Sequence, residues 1–189
     1  MNIKNKKRIS TFVLKLTDEN NIEYFFKEIP LCIIIKELLA QNIAKLVGVD
    51  NIKYSRFQLD GIDGVISESF IEAGYHYMTG TELLTNYIRD TRNENIELLY
   101  NESEYNDKYS IKANQDLYII WQAMEAKFKN YPDYENQILK FMNDVIDMML
   151  FDLLIANGDR GPYNWTIKYN DLTFGLAKVY DNEYSFSNS

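Results

Sequence analysis

The sequence has one cysteine and one histidine among 189 residues, and this scarcity disfavours several classes of protein. A single cysteine, Cys32, cannot build a disulfide framework or a cysteine-based metal site, and its setting in IPLCIIIKE predicts a small buried hydrophobe. His76 is the single histidine, so no second imidazole is available for a zinc site or for a His-based triad elsewhere in the chain. This weakens the case for a Ser-His or Cys-His hydrolase. Disulfide-stabilised, zinc-binding and His-dependent hydrolytic proteins are therefore disfavoured.

Long apolar runs and a secretory leader are missing as well. The most hydrophobic stretch, VIDMMLFDLLIA, is interrupted by Asp147 and Asp152 and is too short to span a bilayer. The N-terminus is basic, but the residues after it alternate instead of forming an apolar block. We therefore expect a soluble protein of the reducing cytoplasm with no membrane partner.

Positive charge is also scarce, with 20 Lys and Arg against 28 Asp and Glu and a net charge of -8. Such a surface repels phosphate backbones, so no direct nucleic-acid binding is expected. The one basic cluster, KNKKR at residues 4–8, is predicted to be a solvated N-terminal arm, with contact to phosphates or to an acidic partner as the alternative. The composition, 46% hydrophobic and 14% aromatic, is ample for a folded core.

The first seventy or so residues follow the pattern strand, strand, helix, strand, strand. Residues 10–29 alternate as a hairpin does, with a turn at TDENN and a stop at Pro30. The segment LCIIIKELLAQNIAKLVGV has helical periodicity, with Gly48 as its C-terminal stop. The segment IKYSRFQLDGIDGVISESFI then predicts a second pair of strands that turns at DGIDG.

The rest of the chain is predicted to be mainly helical. GTELLTNYIRD indicates a short helix, and Pro132 with Asp133 begins a long one. NQDLYIIWQAMEAKFK predicts a helix whose apolar side is formed by Leu117, Ile120, Trp121, Met124 and Phe128. Two late strands, NWTIKY and TFGLAKVY, form a hairpin. The chain is therefore predicted to be α+β and bilobal, with a small β-rich lobe (residues 1–72) and a helical, partial second lobe (residues 73–189).

The segment LIANGDRGPYNWTI, residues 154–167, carries the most chemistry. It sets Asp159 and Asn164 five residues apart between a helix and a strand, and Asp181 follows the next hairpin. Their oxygen atoms suit Mg²⁺ with bound phosphate, and phosphoryl transfer also needs a carboxylate beside the attacking hydroxyl. The alternative is that these residues form ordinary turns.

A lysine on the second hairpin strand and a glutamate early in the following helix complete the pattern. Lys27 and Glu37 are ten positions apart, a spacing that lets the two side chains pair. Such a pair would hold a cation against nucleotide phosphates. The alternative is a strand-edge charge and a solvated helix residue.

The order of these parts resembles the HipA-like serine/threonine kinases, which have a protein-kinase-like fold. Three segments carry the resemblance, and residues of about 80 to 130 match no motif. The segments are YFFKEI with KELLAQNIAKLVGV, then FDLLIANGDRGPYNWTI, then LAKVYDNEYSFS. The resemblance implies ATP and Mg²⁺ as cofactors. The roles that it implies are phosphate contact for Lys27, ion pairing for Glu37, catalytic base for Asp159, metal binding for Asn164 and Asp181, and adenine binding by the backbone of Glu68, Ser69 and Phe70.

Three features depart from the family pattern. Gly161, followed by Pro162, replaces the histidine that normally follows Asp-Arg. No glycine-rich loop precedes Lys27, and only NIKNKKRIS, with Ser10, could take its place. The sequence ends eight residues after Asp181, where the family continues with helices, so we expect either a fragment or a chain that borrows the missing part from a partner.

The resulting prediction is an ATP- and Mg²⁺-dependent transfer of phosphate to a Ser or Thr hydroxyl of a protein substrate. An antitoxin or a complementary C-lobe would be the partner. One alternative is a pseudokinase or split-kinase subunit that binds a partner through the acidic segment 94–107. A further alternative is a lipid or small-molecule kinase, such as one that acts on aminoglycosides.

Overall fold

The computed structural model of the protein describes residues 2–91 and 117–186. Within those residues, eight strands combine with four α-helices and one 3-10 turn at Pro162–Asn164. The strands are β1 (Ile3–Arg8), β2 (Val13–Asp18), β3 (Glu23–Glu28), β4 (Ser55–Leu59), β5 (Ile62–Glu68), β6 (His76–Thr79), β7 (Thr166–Tyr169) and β8 (Phe174–Leu176). The helices are α1 (Leu31–Val47), α2 (Gly80–Thr91), α3 (Leu117–Phe128) and α4 (Tyr134–Leu154). The predicted α+β class is confirmed.

The chain divides into two compact units. The first contains Met1–Glu72, Phe151–Gly158 and Lys178–Ser189, and the second contains Ala73–Leu150 and Asp159–Ala177. The division into lobes of residues 1–72 and 73–189 stays a prediction. The acidic segment 94–107 lies outside the described residues.

The first unit is built on a five-stranded antiparallel sheet in the order β1-β2-β3-β5-β4. The predicted hairpin of β2 and β3 is confirmed, but the prediction of a solvated arm at residues 4–8 is wrong. This basic segment lies in β1 and pairs with β2, although its side chains are exposed. Edge strands are often rich in lysine because its charge discourages pairing with other chains. Their composition therefore resembles that of a solvated arm.

The turn between β4 and β5 is the tight one that DGIDG predicts. Asp60 and Gly61 both have left-handed backbone conformations, with φ of 52° and 86°. Two consecutive left-handed residues are typical of a two-residue hairpin turn, and Asp-Gly is a favoured sequence there. The turn fixes the register of β4 with β5, in which Leu59 lies opposite Ile62 and Arg56 opposite Val65.

Helix α1 begins after Pro30 and ends at Gly48, as the sequence predicts. Gly48 is left-handed, with φ of 81°, and its backbone N–H donates to the carbonyl of Ala44. One face of the helix, including Ile34, Ala40 and Ala44, is buried. The prediction that Cys32 is buried is wrong, because the thiol lies on the opposite, exposed side. A helix that is apolar all round does not reveal from its sequence which face packs inward.

The second unit contains a three-stranded antiparallel sheet in the order β6-β7-β8. The prediction of an isolated late hairpin is therefore corrected, because β6 pairs with β7 and adds a third strand. Helix α3 is confirmed, but Trp121 is 39% exposed and does not belong to its buried side. The buried side is formed by Ile119, Ile120, Ala123, Met124 and Phe128. Phe128 stacks on Phe174 of β8 with ring centroids 4.6 Å apart.

Among the described residues, no helix combines the length and the apolar character that crossing a membrane requires. Helix α4, the longest of the four, begins directly after Asp133, whose backbone is left-handed with φ of 52°.

Replacing Gly64 with Ala is expected to destabilise the first unit. A Cβ at this position of β5 would collide with the backbone carbonyl of Lys27 and lie 2.7 Å from the ring of Phe26. Because the carbonyl belongs to the neighbouring strand, relief requires a shift of the sheet, and we expect a loss of about 1–3 kcal/mol in urea unfolding. Gly175→Ala is the matched control, since a Cβ on that strand glycine meets nothing within 4 Å. Equal stability of the two variants would contradict the expectation.

Candidate functional site

Lys27 lies at the centre of a cluster of carboxylates in the first unit. It belongs to β3, between β2 and β5, and its ammonium is held by three acidic side chains. Its Nζ atom lies 2.6 Å from Asp181 Oδ1, 3.0 Å from Glu183 Oε2 and 3.8 Å from Glu37 Oε1. The structure therefore brings together Lys27, Glu37 and Asp181, which the sequence singles out, and adds Glu183.

Glu37 is the most deeply buried acid of this cluster. Its side chain is 0% exposed, and both carboxylate oxygens lie 3.2 Å from the backbone N–H of Asn182, which donates to them. The amide of Asn182 also donates to Glu37 at 3.4 Å and to Asn51 at 3.5 Å. Asn182 therefore ties helix α1 to the segment that carries Asp181. The sequence signal for it was its place directly after Asp181 in the segment LAKVYDNEYSFS.

The segment with Asp181 is fixed to the first unit through its backbone. Val179 donates to the carbonyl of Asp50 at 2.8 Å, and its own carbonyl accepts from Ile52 at 2.9 Å. Asp181 itself has a left-handed backbone, with φ of 61°, which Asp and Asn tolerate better than most residues. The carboxylate is thereby directed by a constrained turn rather than by a flexible tail.

The pKa of Lys27 is raised above its usual value. Burial lowers the pKa of this lysine, but the Asp181 carboxylate, with its hydrogen bond, and the carboxylates of Glu37 and Glu183 outweigh burial. The side chain stays charged throughout the physiological range because several anions surround it.

The pKa of Glu37 is raised as well. Burial raises it most, and the neighbouring carboxylates of Asp181 and Glu183 add to this, while Lys27 and the backbone N–H of Asn182 lower it. Burial of Tyr54, followed by the charges of Glu37 and Asp181, likewise raises the pKa of its phenol well above its usual value. Tyr54, which the sequence did not single out, lies against the backbone of Asp181 and stays neutral there.

Glu37→Gln is expected to remove a pH dependence of stability. A raised pKa means that folded Glu37 binds its proton more tightly than the unfolded chain does. Its contribution to the free energy of unfolding is therefore complete below the unfolded pKa and is lost as pH rises through the folded pKa. As pH rises above the unfolded pKa of a glutamate and through the raised folded pKa, wild type should lose stability relative to Glu37→Gln, as measured by urea unfolding.

The control for this measurement is Glu135→Gln, which changes an exposed acid at the start of α4. Lys27 does not disturb the comparison, because its own raised pKa places its titration above this range. A stability difference between wild type and Glu37→Gln that stays constant or grows with pH would contradict the prediction.

The segment Glu68, Ser69 and Phe70 follows directly on β5. The backbone N–H of Ser69 donates to the carbonyl of Glu23 at 2.8 Å, and the Ser69 hydroxyl accepts from the N–H of Ile71 at 3.3 Å. The ring of Phe70 stacks on Tyr180, with centroids 6.2 Å apart. The Ser69 N–H is thus engaged within the sheet, and the ring of Phe70 packs against Phe25 as well as Tyr180.

The Asp159 loop in the second unit is closed by its own hydrogen bonds. The carbonyl of Asp159 accepts from the N–H of Gly161 at 2.8 Å and from the amide Nδ2 of Asn164 at 2.7 Å. Arg160 Nη1 donates to the carbonyl of Asn164 at 3.0 Å. The five-residue spacing therefore produces one compact turn. The side-chain amide of Asn164 thus closes the loop through its Nδ2 atom.

Tyr163 supports the Asp159 carboxylate, and the sequence analysis missed it. Its hydroxyl donates to Asp159 Oδ1 at 3.0 Å. Gly161 leaves room for this ring, since a Cβ there would lie 2.7 Å from its Cζ atom. Pro162 begins the 3-10 turn that follows. The Gly-Pro pair thus permits a tyrosine contact near the position where the family pattern has a histidine. The four-residue spacing between Asp159 and Tyr163 was the feature of the sequence that could have indicated this contact.

Among the described residues, no group of three or more His, Cys, Asp or Glu side chains is arranged to hold a metal. Mg²⁺ is commonly bound through one or two carboxylates together with phosphate oxygens and water. In the first unit, Asp181 is a carboxylate with a partly exposed side chain.

Two solved kinase-fold proteins are similar to this chain. One is the Helicobacter pylori proinflammatory kinase CtkA, with 18% identity and a TM-score of 0.62 over 92% of this chain and 55% of that one. The other is HipA of Shewanella oneidensis MR-1, from its toxin–antitoxin complex with HipB and operator DNA. Its identity is 14% and its TM-score 0.56, over 95% of this chain and 44% of that one.

These likenesses show the fold, and they confirm the predicted protein-kinase-like fold. The chain spans about half the length of the two solved proteins. No family model and no curated protein matches the sequence.

Proposed function

We propose that this kinase-like protein is an ATP- and Mg²⁺-dependent phosphotransferase of the HipA-like type, which acts on a Ser or Thr hydroxyl of a protein. The observation that carries the proposal is the ion pair between Lys27 and Asp181, 2.6 Å apart and 154 residues apart in sequence, with Glu37 behind it. Phosphoryl transfer needs this combination.

Lys27 is proposed to contact the α/β-phosphates. Its charge is secured by the surrounding carboxylates, as the direction of its pKa indicates. Glu37 is proposed to position the ammonium, because its own carboxylate is fixed by the N–H of Asn182. When bound, Mg²⁺ would offset charge on the phosphate oxygens, and Asp181 is a proposed ligand. The backbone of residues 68–70 is proposed to bind adenine through groups other than the Ser69 N–H, which donates to Glu23.

Asp159 is proposed to act on the acceptor hydroxyl, and Asn164 to provide an oxygen ligand for Mg²⁺. The Asp159 carboxylate would orient the hydroxyl and accept its proton, while Tyr163 holds one carboxylate oxygen through a 3.0 Å hydrogen bond. The backbone of the loop is already fixed by the bond from Asn164 to the Asp159 carbonyl. Little reorganisation of the carboxylate is therefore required before reaction.

The partners and the setting of this activity are also proposals. HipA is solved with HipB, so an antitoxin is a natural candidate partner, and a complementary C-lobe is another, because the chain spans about half of the solved relatives. The net charge of -8 argues against direct nucleic-acid binding. We propose a cytoplasmic location and no membrane association.

Transfer of labelled phosphate from ATP tests the proposal. The purified chain is incubated with Mg²⁺ and γ-labelled ATP, alongside protein, phosphoinositide and aminoglycoside acceptors. Label on a Ser or Thr residue of the protein acceptor, dependent on Mg²⁺, is the expected result. Label on lipid or aminoglycoside alone would contradict the proposed protein acceptor but would still support phosphotransferase activity.

A pseudokinase or split-kinase subunit is the second candidate, and the tip of the β1–β2 hairpin favours it. This tip contains no glycine, and the N–H groups of Ile9 and Ser10 both donate to the carbonyl of Val13, at 2.9 and 3.3 Å. Those amides are therefore occupied within the hairpin. A thermal-shift titration with ATP and Mg²⁺ separates the candidates, because no shift at millimolar nucleotide would favour the binding module.

A further inference from the structure

Glu183 is a carboxylate beside Lys27 to which the proposed phosphotransferase activity gives no role. Its Oε2 atom lies 3.0 Å from Lys27 Nζ, and Asp181 Oδ1 lies 2.6 Å from the same atom. Within residues 2–91 and 117–186, Glu183 makes no other ion pair. Two carboxylates thus contact one ammonium, and their combined charge outweighs its single positive charge. An anion that approaches Lys27 therefore meets a local excess of negative charge.

The backbone is fixed on both sides of Glu183. Asn182, directly before it, is buried, and its carbonyl accepts from the N–H of Ser185 at 3.1 Å. The N–H of Phe186 donates to the carbonyl of Ile155 at 2.8 Å. The segment is therefore a turn that is tied to the rest of the first unit. The position of the Glu183 carboxylate beside the ammonium follows from this turn.

The side chain of Glu183 is nevertheless the least constrained of the three carboxylates around Lys27. It is 28% exposed, whereas Glu37 is 0% exposed and both its oxygens accept from the backbone N–H of Asn182. Asp181 is directed by its left-handed turn. Glu183 can therefore exchange its contact with the ammonium for water, while the buried Glu37 cannot.

A phosphate that binds Lys27 cannot avoid Glu183 in this arrangement. A charge-assisted hydrogen bond from an ammonium to a phosphate oxygen is about 2.7–2.9 Å long. Since Glu183 Oε2 lies 3.0 Å from the same Nζ atom, the two oxygens can be no more than about 6 Å apart. This is within the Debye length of about 8 Å at physiological ionic strength, so salt screens the repulsion only in part. Glu183 therefore either repels the phosphate or gives up its bond to Lys27, and both cost affinity.

We propose that Glu183 competes with the phosphates of a nucleotide for Lys27 and thereby disfavours a polyphosphate that carries no divalent cation. The inference rests on the proposed assignment of Lys27 to the phosphates. A divalent cation on the phosphates offsets part of their charge, so the repulsion from Glu183 is then smaller. Glu183 thus makes the Lys27 site selective for a polyphosphate in its metal complex.

Inorganic tripolyphosphate tests this selectivity without the base and the sugar of a nucleotide. Calorimetric titration of the chain with tripolyphosphate, in EDTA and in excess Mg²⁺, compares wild type with Glu183→Gln, which removes the charge and keeps the size of the side chain. Asp63→Asn is the matched control, because it removes an equal charge from the first unit, where Asp63 pairs with Arg56 at 3.2 Å in an exposed setting. Lys27→Met tests whether the probe binds at Lys27.

In EDTA, Glu183→Gln is expected to bind tripolyphosphate at least about fivefold more tightly than wild type. In excess Mg²⁺, the difference should fall below about twofold, because the cation offsets the phosphate charge. At about 1 M salt, where the Debye length is about 3 Å, the difference in EDTA should also shrink. Asp63→Asn should bind as wild type does, and ATP in place of tripolyphosphate should give the same order of affinities.

Equal affinities of wild type and Glu183→Gln in EDTA, with weaker binding by Lys27→Met, would overturn the inference and leave the assignment of Lys27 intact. A difference that is the same in EDTA and in Mg²⁺, or that does not shrink with salt, would also overturn it. Weaker binding by Glu183→Gln in Mg²⁺ would contradict competition, because Glu183 would then assist the metal. If Lys27→Met binds tripolyphosphate as wild type does, the assignment of Lys27 fails and the inference fails with it. Equal melting temperatures of wild type, Glu183→Gln and Asp63→Asn exclude unfolding as the cause.

Discussion

Asp159→Asn is expected to lower the rate of phosphoryl transfer by about 10²–10⁴-fold, while ATP binding stays close to that of wild type. The change removes the charge that would accept the proton from the acceptor hydroxyl. It keeps an oxygen for the hydroxyl of Tyr163, and the bonds to the Asp159 carbonyl involve the backbone, so the loop should retain its shape. Single-turnover transfer and calorimetric ATP binding, measured side by side, give the two quantities.

Asp147→Asn is the matched control, because it removes an exposed carboxylate from α4, outside the proposed site. It should transfer phosphate at the wild-type rate. A wild-type rate in Asp159→Asn would show that this carboxylate has no catalytic part. A parallel loss of ATP binding would indicate that the substitution has disturbed the nucleotide site instead.

Lys27→Met is expected to weaken ATP binding by at least about thirtyfold, because a charge-assisted contact to phosphate is lost. The same change leaves the buried carboxylate of Glu37 without its nearest cation and removes the partner of Asp181 and Glu183. Part of that cost is relieved by proton uptake on Glu37. We therefore expect a loss of about 1–3 kcal/mol in the free energy of unfolding.

Lys15→Met separates these effects from the general loss of a strand lysine. Lys15 lies on the neighbouring strand β2 and pairs with Glu23 at 2.6 Å in a more exposed setting. Exposed ion pairs contribute little, so stability should change by less than about 1 kcal/mol and ATP binding should not change. Similar ATP affinities for Lys27→Met and wild type would contradict the assignment of Lys27 to the phosphates.

Local patterns in the sequence were sufficient to predict most of the elements. The β2–β3 hairpin, helix α1 with its stop at Gly48, and the Asp60–Gly61 turn each follow from a few adjacent residues. Strand β1 could not be predicted in this way, because a lysine-rich edge strand and a solvated arm have the same composition. The sequence also could not predict which side of α1 is exposed, because both faces of that helix are apolar.

The candidate site was predictable only where a spacing repeated a known order. Asp159, Asn164 and Asp181 were singled out in this way, and their functional roles stay predictions. Glu183 and Tyr54 were not, since their roles depend on contacts with residues far away in the sequence. Tyr163 lies inside the predicted loop, but only the room left by Gly161 shows that its ring reaches the carboxylate.

The backbone of Asp181 limits which residues can replace it. At φ of 61°, a β-carbon is crowded by the backbone, and Gly, Asn and Asp accept this conformation at the least cost. Alanine at this position would add a conformational penalty of about 1–2 kcal/mol to the loss of the carboxylate, so an alanine variant cannot isolate the charge. Asp181→Asn changes the charge alone. The same constraint predicts that natural variants lacking the acid at this position carry Asn or Gly.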